Sequence, residues 1–148
     1  MIEPTIHPKL INQLYTEAML LADEARDYFD EGGRAEREAL EPMARVAFSC
    51  ESLKVTTRLM HVIAWLLTQR AVAVGEMRPA DARAPSRRLG EAPYSDDAAL
   101  AIMPPRARGL IDDSIDLFRR AARLDATLDS GPAPSPARDM LERLRGAF

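Results

Sequence analysis

His61 is the residue through which this sequence could most directly do chemistry. Only two histidines occur, His7 and His61. His61 stands in a helical stretch with Lys54 and Arg58 one to two turns before it. An imidazole exposed on a helix can carry a phosphoryl group, and neighbouring cations would attract the phosphate. That makes a histidine-phosphotransfer module one reading of the chain. The plainer reading, and the favoured one, is a surface or interface histidine with no reaction to perform.

Other constellations are poorer. A di-iron helical bundle needs Glu-x-x-His pairs, but Arg58 stands three residues before His61 and Pro4 three before His7. No metal site is therefore expected. The one cysteine, Cys50, can form no internal disulfide, and its apolar surroundings mark it as a core thiol. Ser49 and Ser52 have no nucleophile motif around them. Gly32-Gly33 lacks the preceding strand and following Lys-Ser/Thr of a phosphate loop. The reading is a protein without catalytic residues or cofactor.

Composition narrows the partners. The chain has 148 residues, 47% hydrophobic and 29% charged, with a formal net charge of −3. A length of this order suits one domain, 1–148. The acidic balance speaks against nucleic-acid binding. No apolar run approaches the ~20 residues that span a bilayer, and MIEPTIHPKL has no basic-then-apolar signal pattern. The expected location is the cytoplasm. Aromatic residues make up only 5%, so the core must be aliphatic, as in helical bundles rather than β-sandwiches.

The elements that would position these residues are helices. Leu10, Leu14, Ala18, Leu21, Ala25 and Tyr28 recur at spacings of three and four, which predicts a helix over about 8–31, opened by Pro8 and stopped by Gly32-Gly33. A second helix, about 36–74, ends at Gly75, with Pro42 either kinking it or opening it afresh. Residues 75–105 hold Pro79, Pro85, Pro93, Pro104 and Pro105 and read as a long connection, with a helical turn near Pro79–Arg83. Leu110, Ser114, Leu117, Ala121, Leu124 and Leu128 predict a third helix, about 105–129. Ser135 would cap a short fourth, about 136–145, with Met140, Leu141 and Leu144 as its apolar side. The fold class is all-α: a three-helix bundle with a long central helix, a long 75–105 loop and a short C-terminal helix.

The second helix has two apolar faces. Leu53, Thr56, Met60, Ile63, Ala64, Leu67, Ala71 and Val74 share one; Val55, Leu59, Val62, Leu66 and Ala73 share the next. The remaining strip carries Lys54, Arg58, His61, Trp65, Thr68 and Gln69. Core packing needs a stripe of only about 100°, and this one is about twice as wide. The helix either lies in the middle of the bundle or turns part of the surplus towards another subunit. The strip residues Arg58, His61, Trp65 and Gln69, with Arg70 at its edge, are the candidate partner-binding residues, since Trp and Arg are frequent interface anchors. Each could equally have an ordinary role within the chain: Trp65 covering the loop, Arg70 pairing with an acidic neighbour. Asp23, Glu24, Asp27, Asp30 and Glu31 make one acidic patch, and Arg78, Arg83, Arg87 and Arg88 a basic one. The two could meet each other or a partner.

The segment Cys50–Ala71, with its E-S-L-x-x-T-T-R-L-M-x-x-x-x-W-L-L-x-Q-R-A pattern from Glu51, resembles the RcdA-like proteins of alphaproteobacteria, named for regulation of CtrA degradation. Weaker likeness extends to Leu21–Phe29, Met43–Phe48, Arg87–Gly90, Arg123–Asp125 and Glu142–Phe148. The resemblance implies a dimeric three-helix bundle without catalytic activity. It implies an adaptor that helps deliver cell-cycle regulators to the ClpXP protease, together with a response regulator and a cyclic-di-GMP-binding partner. In some members a flexible C-terminal tail contributes, and the chain here stops at Phe148, which leaves tail-dependent delivery in doubt.

Overall fold

A computed structural model describes residues 5–129 and 136–147. Three long helices carry the fold: α1 (Pro8–Asp27), α3 (Pro42–Ala73) and α6 (Pro105–Thr127). Between them lie the short helices α2 (Arg34–Glu38), α4 (Pro79–Ala82) and α5 (Asp97–Ala101), and α7 (Pro136–Ala147) follows. Among the described residues there are no strands. The all-α expectation holds, and α1 and α6 both pack along α3, which is the spine.

Proline begins α1, α3, α4, α6 and α7, because its missing N–H falls where no intrahelical acceptor exists. Two expected helices are shorter than the periodicity suggested. The first ends its α-geometry at Asp27 and continues as a π-helical turn, Tyr28–Gly32. The turn stays close because Gly33 has no side chain: a Cβ there would lie 2.8 Å from the Tyr28 ring and 2.9 Å from its carbonyl oxygen. The second expected helix is two, since Pro42 opens α3 after a break at residues 39–41. At the far end Gly75 adopts φ 78°, a left-handed cap that favours glycine. The predicted turn near Pro79–Arg83 is α4. The connection around it is more ordered than a plain loop, with a 3₁₀ turn at Pro85–Arg87 and α5 capped by the Asp96 carboxylate on the Ala99 N–H, 2.7 Å. The expected Ser135 cap and the break over Ser130–Pro134 lie outside the described residues.

The buried apolar side chains form one cluster. It runs through Ile11, Leu14, Ala18, Leu21 and Ala25 of α1, Val55, Leu59, Val62 and Leu66 of α3, and Leu110, Ile111, Leu117 and Ala121 of α6. Tyr28, Phe29 and Phe48 close one end, with edge-on ring contacts of Phe29 to Tyr28 and Phe48 at 5.1 and 5.2 Å and a tilted one between Tyr28 and Phe48 at 6.0 Å. The Tyr28 hydroxyl donates to the Glu36 carboxylate; burial first, and that carboxylate second, raise the Tyr28 hydroxyl's pKa.

Candidate functional site

The phase of α3 decides which residues can meet a partner, and it is the reverse of the expected one. Arg58, Trp65 and Gln69 point inward and are buried, at 1%, 1% and 6% exposure. The expectation that they line an exposed strip is corrected. Of the five nominated residues only His61 and Arg70 are at the surface. Of the two apolar faces, the Val55–Leu59–Val62–Leu66 face packs into the core, while Leu53, Met60, Leu67 and Val74 of the other stand in solvent.

Arg58 and Trp65 find their partners on the segments that follow α3, whereas Gln69 Nε2 is buried with no hydrogen-bond partner among the described residues. Arg58 Nη1 donates to Ser114 Oγ of α6 at 3.3 Å, and Nη2 to the Pro93 carbonyl at 3.0 Å and to Ser95 Oγ at 2.5 Å. Ser95 donates in turn to Glu51 Oε2, and Ser114 to the Ile111 carbonyl at 2.7 Å. Glu51, 1% exposed, also accepts from Lys54 Nζ at 3.1 Å. Burial lowers the Arg58 pKa, and the Glu51 charge opposes that shift. A buried guanidinium left unpaired would cost several kcal/mol (roughly 3–5); here a carboxylate and three oxygen acceptors share it.

Two turns further on, Trp65 Nε1 donates to Asp125 Oδ1 at 2.9 Å. The same oxygen accepts from Arg88 Nε at 2.8 Å, and Arg88 Nη2 reaches the Asp125 carbonyl at 2.8 Å. Both Asp129 oxygens take further Arg88 nitrogens. These bonds raise the Arg88 pKa, and the guanidinium beside it lowers that of Asp129. Residues 88–95 are thus strapped across α3 and α6 at two points, with Leu89 buried between them. Trp65 is tied to the loop through α6, because the Asp125 oxygen that accepts from its indole also accepts from Arg88. Among the described residues Arg70 pairs with no acid; its guanidinium lies 4.7 Å from the Tyr15 ring centre. The basic residue Arg88 meets α6 and not the acidic end of α1, and Arg78 pairs with Asp81.

The sequence reading missed Ser95 and Ser114 as receptors for Arg58. Ser114 carried a signal: a hydroxyl in an otherwise apolar helical stripe marks a buried polar partner.

The chemical candidates are placed as follows. His61 is exposed at the rim of a cleft of about 410 Å³, shared with Thr68, Ser86, Arg87 and Arg88. Cys50 is exposed, which corrects its assignment to the core; its helical phase puts it on the outward stripe. Among the described residues no three His, Cys, Asp or Glu side chains stand together as a metal site, and no helix is long and apolar enough to cross a membrane.

The outward stripe is a long uncovered apolar feature of the described residues. Val46, Leu53, Met60, Leu67 and Val74 recur every seventh residue, all exposed, with Cys50, Thr57, Ala64 and Ala71 in register between them. Beside it, Ala22, Ala25 and Phe29 of α1 and Thr56, Leu59 and Ile63 of α3 line a groove of about 230 Å³.

The family model described as "Protein of unknown function (DUF1465)" matches residues 2–148. Among solved structures, the fold is similar to that of RcdA from Caulobacter crescentus CB15, with a TM-score of 0.69 and 33% sequence identity. The match covers 86% of this chain and 97% of that one. No curated protein matches the sequence.

Proposed function

We propose, on the premise that this chain belongs to the RcdA-like family, described as a family of unknown function (DUF1465), that it is a non-catalytic adaptor. In this reading it works as a homodimer in the cytoplasm and helps deliver cell-cycle regulators to the ClpXP protease. A response regulator or a cyclic-di-GMP-binding protein is its helper. The observation that carries the reading is the match to RcdA over nearly all of that chain at 33% identity. The wide exposed apolar stripe on α3 supports it, because contiguous apolar surface on a small helical protein marks protein contact. Of the nominated contact residues, His61 and Arg70 remain candidates at the surface, while Arg58 and Trp65 would act by holding the strap in place and Gln69 is buried.

The test is reconstitution. Purified ClpXP, the helper protein and a cell-cycle regulator are mixed with and without this chain, and loss of the regulator is followed in time. Faster degradation with the chain present is expected; an unchanged rate, with no retention of the chain on the protease or helper, overturns the reading.

A second reading rests on the exposure of His61 in the α3–strap cleft that Arg87 also lines: a histidine-phosphotransfer module, in which the Arg87 guanidinium would steady the phosphoryl group. Acid-labile, base-stable phosphate on the intact protein, abolished in His61→Ala, would establish it.

A further inference from the structure

The strap has an edge that its anchors leave open. Arg88 is fixed at Asp125 and Asp129, while Pro93 and Ser95 are fixed by Arg58, which also reaches Ser114. The strap therefore runs antiparallel to α6. Between the two lies a cleft of about 190 Å³. Ala92 and Pro93 line it from the strap, Ile115 and Phe118 from α6, and no acid lines it. Tyr94 and Arg119 stand at its mouth, since both line it and both are exposed.

Tyr94 is 78% exposed, and the residues on either side of it are held from within. Arg58 Nη2 takes the Pro93 carbonyl before it and Ser95 Oγ after it. The backbone beneath the ring is thus ordered before any partner arrives, and a rigid exposed tyrosine is a frequent anchor of protein contacts. Among the described residues, 89–95 make no backbone–backbone hydrogen bond, so an extended segment laid along the strap finds donors and acceptors there.

The charge beside the cleft gives the sign of the partner. Arg108, Ile115, Arg119 and Arg123 follow one edge of α6 at spacings of seven, four and four. All three arginines are exposed, and among the described residues none has an ion pair or hydrogen bond within the chain. Arg88 and Arg120, by contrast, are bound to the chain's own carboxylates. Asp116, three residues before Arg119, is taken by Arg120; Asp112 and Glu91 are exposed but do not line the cleft. Free guanidinium forks suit carboxylates. A phosphate backbone would suit them too, but the chain's net charge of −3 repels it and the cleft walls are apolar.

We infer that the cleft between the strap and α6 receives an extended acidic segment of a partner protein, with one apolar side chain between Pro93 and Phe118 and its carboxylates on Arg119 and the row beside it. This deepens the adaptor reading, on which it rests, by giving it a contact surface and a class of ligand. Its test uses neither protease nor helper, so the two proposals fail separately.

The experiment is an NMR titration of the isotope-labelled full chain with a synthetic peptide, acetyl-Gly-Glu-Asp-Glu-Leu-Asp-Glu-Gly-amide, taken to ~1 mM at low salt. Amide shifts are expected in residues 92–95 and 115–119. Alanine in place of the peptide's leucine is expected to weaken binding, and lysine in place of every acid to abolish it. Tyr94→Ala is expected to weaken the acidic peptide by roughly fivefold or more, and Arg119→Glu by roughly threefold or more. Both positions are exposed, so the fold tolerates both changes. Arg119→Glu is also expected to bind the lysine peptide better than the wild-type chain does. No shifts, shifts confined to another face, or equal binding of the lysine peptide overturns the inference, and so does an affinity that Arg119→Glu leaves unchanged. A thymidine oligonucleotide that moves the same residues at lower concentration than the peptide overturns the protein partner in favour of nucleic acid. An Arg119-dependent doubling of the chain mass without peptide places a second copy in the cleft and overturns the foreign segment.

Discussion

The two faces of α3 are made of the wrong residues for their positions, if burial followed polarity alone. The inward face holds Glu51, Arg58, Trp65 and Gln69, while the outward face holds Val46, Leu53, Met60, Leu67 and Val74. The difference shows what burial requires. A polar group enters the interior when its partners are already there, and Arg58 and Glu51 meet Ser95, Ser114 and the Pro93 carbonyl. An apolar group is left in water when the chain has no more surface with which to cover it. α1 and α6 lie along one side of α3 only, and the other side has no cover within the described residues. The inward polar face fastens the strap, and the outward apolar face is what the molecule offers to others.

The contrast breaks most clearly at Arg58. Arg58→Met keeps the bulk but leaves Glu51 buried with one cation fewer and frees Ser95 and the Pro93 carbonyl. A loss of about 3–5 kcal/mol in unfolding free energy is expected, as for other broken buried pairs, measured by urea denaturation. A loss under ~1 kcal/mol would mean that the inward polar face is only tolerated.

Trp65→Phe retains the packed ring and removes the donor to Asp125. A smaller loss, about 1.5–3 kcal/mol, is expected for a hydrogen bond to a charged acceptor. Faster amide exchange in residues 88–95 should accompany it, because the same Asp125 oxygen anchors Arg88.

Acid sharpens the same point. The Asp129 carboxyl is held below its ordinary value, chiefly by Arg88. Its contribution is therefore complete above the unfolded-state value, about 3.9, and is lost as pH falls through the lower folded value. The Arg88 contacts should persist at pH 5 and loosen only in stronger acid; Arg88→Gln should abolish that acid-dependent step. Loosening that begins above pH 5 would contradict the assignment.

The smallest effect is expected on the outward face. Leu53→Gln should change the stability of the dilute, single-chain form by no more than about 0.5 kcal/mol, as surface changes usually do. A larger loss would show that this face is covered within its own chain.

Much of the fold is legible in the sequence, for local reasons. The prolines at the helix starts, Gly75 at the end of α3, and the three-and-four spacing in α1 and α6 act within a turn or two of themselves. The periodicity located those helices to within a few residues, apart from the π turn that Tyr28 and Gly33 build together. The low aromatic content and the lack of strand alternation fixed the all-α class. The E-S-L-x-x-T-T-R-L-M pattern pointed to the family that the comparisons show.

The candidate site was less legible, because α3 is apolar on nearly every side. Its heptad spacing stands in the sequence, and so do the small residues between the large ones. But no periodicity says which of two apolar faces turns inward. That choice was made by partners distant along the chain, Ser95 and Ser114 for Arg58, Asp125 for Trp65, with α1 covering the adjoining side. The sequence by itself determined that α3 would be a long helix with more apolar surface than one core can use. Only the tertiary structure decided which surface is left over, because a polar residue's place in the interior depends on the groups that the rest of the chain brings to it.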